Sequence, residues 1–71
     1  MKLPRDISGD DAVKALKRLG FETVRQEGSH IRMVKGARRV TIANHKSILP
    51  KTLQSMLRQA GVSVEDFVDA L

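Results

Sequence analysis

Two glycine-containing turns divide residues 21–43 into three short segments, and the segments alternate apolar with polar residues. That pattern constrains the fold more than anything else in the chain. Alternation with period two marks a strand buried on one face, and two-residue turns join antiparallel neighbours. The spacing predicts strands over residues 21–26, 29–35 and 38–43, with Glu27-Gly28 and Gly36-Ala37 as the turns. Register then follows by counting. Val24 should pair with Ile31, Met33 with Val40 and Ile31 with Ile42, giving one apolar face. The other face should set Arg25 opposite His30, Arg32 opposite Thr41 and Val34 opposite Arg39. Glu27 suits a positive φ poorly, so the pattern also accommodates a bulge near the first turn.

Helical spacing flanks this block. Ser8 and Asp11 read as a capping box that opens a helix over about residues 8–19. Ala12, Val13, Leu16, Leu19 and Gly20 lie near one face of it, Lys14, Lys17 and Arg18 face water, and Gly20 fits its C-terminal stop. The segment through Ile7 shows little pattern and is expected to be a loosely held tail. Residues 44–49 read as a loop and Pro50 as a helix start. Leu53, Met56, Leu57 and Ala60 repeat at helical spacing up to Gly61. Ser63 with Asp66 opens a short last helix whose apolar stripe is Val64, Phe67, Val68 and Leu71. The expected fold is one α+β domain over residues 1–71, ordered α-β-β-β-α with a short C-terminal helix. A three-stranded antiparallel sheet with a single apolar face requires the helices on that face. The opposite face stays open and should carry Arg25, His30, Arg32, Arg39 and Thr41.

Cysteine is absent, which removes disulfides and thiolate metal sites. His30 and His45 have no clustered carboxylates in the sequence, so no metal site and no cofactor are expected. No apolar run approaches the roughly 20 residues that span a bilayer, and no membrane association is expected. Met1-Lys2-Leu3-Pro4-Arg5-Asp6 lacks the apolar stretch of a signal peptide, so the cytoplasm is the expected location. The net charge is +5 and the pI about 10.3. Glu65, Asp66 and Asp69 all fall in the last ten residues, which leaves 13 basic against 5 acidic groups in residues 1–61. A balance of that kind favours a polyanionic partner, most simply nucleic acid.

Gly28-Ser29-His30 is the candidate site. Parity puts His30 on the open face beside arginines, and histidine is the residue type whose ordinary pKa lies near neutrality. Arginine's planar fork matches phosphate. Arg25, Ser29, Arg32, Arg39 and Thr41 are therefore candidate nucleic-acid contacts, while His45, Lys46 and Lys51 surround the start of the second helix, where charge and helix dipole suit phosphate. Phe21 and Phe67 are the only aromatic residues, so reading of backbone or shape is expected rather than stacking on bases.

Leu16-Lys17-Arg18-Leu19-Gly20-Phe21, Gly28-Ser29-His30, Arg38-Arg39-Val40-Thr41-Ile42, His45 and the stretch over residues 53–63 together resemble the HicA family of small bacterial toxins, ribonucleases that cleave messenger RNA. The resemblance covers nearly the whole chain. It implies a fold like a double-stranded-RNA-binding domain, His30 as the catalytic residue and a HicB-type antitoxin as partner. Many members carry another histidine or an aromatic residue directly after Gly-Ser-His, where this chain has Ile31. The expected activity is metal-independent RNA cleavage, with His30 taking the 2′-hydroxyl proton and Arg25 and Arg32 stabilising the phosphorane. The general acid stays open, with His45 the one other histidine. Two further readings are a noncatalytic RNA-binding module of the same fold, with His30 as a phosphate contact, and a protein-interaction module whose basic face docks an acidic antitoxin.

Overall fold

The chain runs α1 (Gly9–Arg18), β1 (Glu22–Glu27), β2 (His30–Lys35), β3 (Arg38–Ala43), α2 (Pro50–Ala60) and α3 (Val64–Ala70), in a computed structural model that describes Pro4 and residues 6–71. The strands form one antiparallel sheet in the order β1-β2-β3. α1 and α2 pack on β3, α1 also touches β1, and α3 lies against both helices. The architecture is the α+β arrangement that the pattern predicts.

Local chemistry explains the helix ends. Ser8 Oγ accepts from the Asp11 N–H at 3.0 Å, and the Asp11 carboxylate accepts from the Ser8 N–H at 3.2 Å, which completes the expected capping box. Ser63 Oγ accepts from the Asp66 N–H at 3.1 Å. Pro50 opens α2, and Gly61 closes it at φ 71°, in the left-handed region. The Arg38 guanidinium lies so close over Gly61 that an added Cβ would meet its Cζ at 2.9 Å. Arg18 Nη1 donates to the Ala70 carbonyl at 2.6 Å, tying α1 to the end of α3.

The core is one cluster under the sheet. Ile31, Met33, Val40 and Ile42 from the strands meet Ala12, Ala15 and Leu16 of α1, Leu53, Met56, Leu57 and Ala60 of α2, and Phe67 of α3. Phe21, just before β1, is buried too, with Lys35 Nζ 5.9 Å above its ring. Leu71, expected in the last apolar stripe, is 42% exposed. Of the tail expected over residues 1–7, residues 1–3 and 5 lie outside the described residues. Ile7 is buried, and its carbonyl accepts from the Ile48 N–H at 2.7 Å. Ile48 is itself buried, so these two residues close one end of the core from loops.

Register agrees with the count across β2 and β3, where Ile31 faces Ile42, Arg32 faces Thr41, Met33 faces Val40 and Val34 faces Arg39. Across β1 and β2 it does not. Glu27 pairs with His30 and Gln26 with Ile31, so the turn is Gly28-Ser29 rather than Glu27-Gly28. Gly28 takes φ 57° while Ser29 stays at negative φ, which fits a type II′ turn with glycine first. Arg25 consequently opposes Arg32, not His30. A bulge at Val24 then lets Thr23 pair with Met33. Val24, expected in the apolar face opposite Ile31, is 58% exposed instead.

Candidate nucleic-acid interface

The register arranges the open face as three rows of side chains. Glu27, His30 and Ala43 form the first, Arg25, Arg32 and Thr41 the second, and Glu22, Val34 and Arg39 the third. Strands lie about 4.8 Å apart and successive residues on one face about 6.7 Å apart, so each row is within side-chain reach of the next. His30 heads β2 at the Gly28-Ser29 turn and is exposed. The helices lie under the other face, so the His30 side chain needs no part in packing, although Ala43 in the same row is half-buried against the core.

A shallow concavity of about 440 Å³ opens on this face, lined by Val24, Arg25, Arg32, Val34, Arg39 and Thr41. The bulge adds Val24 to the apolar part of its lining, because it leaves Val24 beside Arg25 instead of in the core. His30 stands one row beyond Arg32 and does not line the concavity. Arg25 is engaged already, since its Nε lies 2.8 Å from the Glu27 carboxylate. Both side chains are largely in water, 68% and 50% exposed, so the ion pair is worth little.

The turn is fixed from β3. The Ser29 carbonyl accepts from the Asn44 N–H at 2.7 Å, one residue past the pairing of His30 with Ala43. His45 follows at once. Its N–H donates to the Ala43 carbonyl at 2.9 Å, and its own carbonyl accepts from the Gly9 N–H at 2.8 Å. Its backbone thus joins the end of β3 to the start of α1, at the same end of the sheet as His30, while its side chain is exposed. Gly9 permits the crossing, because a Cβ there would meet Asn44 Cα at 2.6 Å.

The structure therefore brings Arg25, Arg32, Arg39 and Thr41 around one concavity, with His30 one row away on the same face and Ser29 in the adjoining turn. Lys46 and Lys51 are exposed around the start of α2 and do not line that concavity. Among the described residues no group of three or more His, Cys, Asp or Glu side chains is placed to hold a metal ion. No helix there is long and apolar enough to cross a membrane. Two members of the open face, Val24 and Glu27, were hidden in the sequence. The signal for Glu27 is the likeness of Gly28-Ser29 to Gly36-Ala37: each is a glycine followed by a small residue, and each forms the two centre positions of its turn, whereas Val24 depends on the bulge, which the turn does not reveal.

A family model described as the HicA toxin of bacterial toxin–antitoxin systems matches residues 9–62, more than half of the chain. No curated protein matches the sequence.

Proposed function

The chain belongs to the HicA toxin family, and from that premise we propose that it is a metal-independent endoribonuclease that cleaves messenger RNA with His30. The toxin role and an antitoxin partner come with the family. Neutral His30 takes the proton from a ribose 2′-hydroxyl, and the 2′-oxygen attacks the adjacent phosphorus. The bond from phosphorus to the 5′-oxygen breaks, the leaving oxygen takes up a proton, and the products are a 2′,3′-cyclic phosphate and a 5′-hydroxyl. General base catalysis of this kind contributes roughly 10² to 10⁴-fold. Arg32 and Arg25, in the next row, neutralise charge on the phosphorane. Arg39 and Thr41 hold neighbouring backbone, and Ser29, His45, Lys46 and Lys51 extend the contact around the turn and the start of α2. Such contacts fix position without reading bases.

The observation that supports this most is the placement of His30, exposed at the head of β2 with Arg32 next on the same face and the core on the other. A HicB-type antitoxin that covers this face would shut the site, so RNA and antitoxin compete for it. The test compares purified protein with its His30→Ala variant on RNA, with and without a chelator, beside thermal melts. Cleavage by the native chain that survives EDTA, leaves a cyclic phosphate and vanishes in the variant is the expected result. A variant that cleaves as well as the native chain removes His30 from the mechanism and leaves a noncatalytic RNA contact. A variant that melts far lower makes His30 structural.

A further inference from the structure

Arg25 and Arg32 stand directly opposite each other across β1 and β2, on the open face. Like charges in directly opposed positions destabilise a sheet, with Cβ atoms only about 4.5–5.5 Å apart. The Glu27 carboxylate relieves that repulsion from within the chain, lying 2.8 Å from Arg25 Nε. A carboxylate on a guanidinium occupies the position a phosphate oxygen would take, since both anions use the same planar fork. The contact is exposed on both sides, so a stronger anion can displace it.

We propose that Arg25 and Arg32 form a single phosphate subsite for RNA, and that Glu27 fills it in the ligand-free protein as an internal competitor. The proposal rests on the reading of the open face as the RNA site. It deepens that reading by giving Glu27 a task opposite to that of its neighbours: it limits affinity. An incoming phosphodiester takes the Arg25 fork and lies between both guanidinia, placing its single negative charge where the carboxylate stood. The displaced carboxylate stays on the His30 row, directly across from His30. Glu27 thereby sets how much RNA the toxin holds at a given concentration, and its pairing with Arg25 is the element on which that setting depends.

The test uses a single-stranded 2′-O-methyl oligoribonucleotide, which lacks the attacking hydroxyl, so binding is measured on the intact protein without cleavage. Glu27→Gln should bind about two- to fivefold more tightly, the size of an exposed ion pair released. Glu22→Gln removes the same charge from the same strand, one row beyond Arg25 and away from the Glu27 pairing, and should gain less. With Arg25→Ala already in place, Glu27→Gln should gain no more than Glu22→Gln does. Equal gains for the two glutamine variants of the native chain overturn the proposal in favour of general charge. A gain at Glu27 that persists without Arg25 overturns it too, because the carboxylate then acts elsewhere. Weaker binding by Glu27→Gln shows that Glu27 aids RNA binding and contradicts the proposal outright. If the native chain and every variant fail to bind the oligonucleotide, the open-face reading itself falls, and the proposal with it.

Discussion

Strand β2 has one row of side chains in the core and one in water. Ile31 and Met33 are buried against the helices, while His30 and Arg32 beside them in sequence are exposed. The buried row joins Val40 and Ile42 of β3 and three helices in a single cluster. The exposed row joins Arg25, Arg39 and Thr41, all of them exposed. The same six-residue strand thus answers to two independent demands. Apolar burial and cavity cost govern one face, whereas charge and exposure to water govern the other. A face without core contacts can concentrate arginines and a histidine at little cost to folding, and this one does.

Breaking the buried row should have the largest effect. Met33→Ala empties a fully buried position and should cost about 2–5 kcal/mol by chemical denaturation. A domain of this length has only a few kcal/mol in reserve, so the variant should be partly or wholly unfolded. A cost below about 1 kcal/mol would mean that the sheet does not carry the core. Next comes the junction that holds the His30 end of the sheet to α1. Gly9→Ala drives a Cβ to 2.6 Å from Asn44 Cα and 2.9 Å from the Ala43 carbonyl oxygen. Overpacking against backbone costs roughly 1–3 kcal/mol, more than the small gain in helix propensity returns. An unchanged melt would show that the crossing at Asn44 shifts freely. The smallest effect sharpens the contrast between the faces. Val24→Ala should alter stability by no more than about 0.5 kcal/mol, because the side chain is 58% exposed on the open face. A loss of the size expected for a buried valine would place Val24 back in the core.

Val24 also shows where sequence reading stops. Register across β2 and β3 was legible because both strands bury alternate residues, and a one-residue slip would have exposed all four apolar side chains. β1 buries none of its six residues, so no apolar pattern pins its register. Its position depends on the turn alone, and reading that turn one residue early moved Arg25 from Arg32 to His30. The bulge compounds the error, since one unpaired residue reverses the parity of everything before it. Arg25, His30, Arg32, Arg39 and Thr41 could therefore be placed on the open face from the sequence, while Glu27 needed the correct turn and Val24 the bulge. The caps at Ser8 and Ser63 were readable because each is a local hydrogen bond spanning three residues. Ile7 and Ile48 were not, because a single apolar residue in a loop carries no period, and their burial depends on a contact between distant segments.

We propose that RNA meets the open face and leaves the helical layer alone. α1 offers a rival surface, since Lys14, Lys17 and Arg18 are exposed on it. Amide chemical shifts of the isotope-labelled protein, followed while the 2′-O-methyl oligonucleotide is added, separate the two surfaces in one titration. The largest changes should fall at Arg25, His30, Arg32 and Thr41, with Ala15, Leu57 and Phe67 nearly still. Largest changes along Lys14, Lys17 and Arg18, with His30 and Arg32 unmoved, would contradict the account.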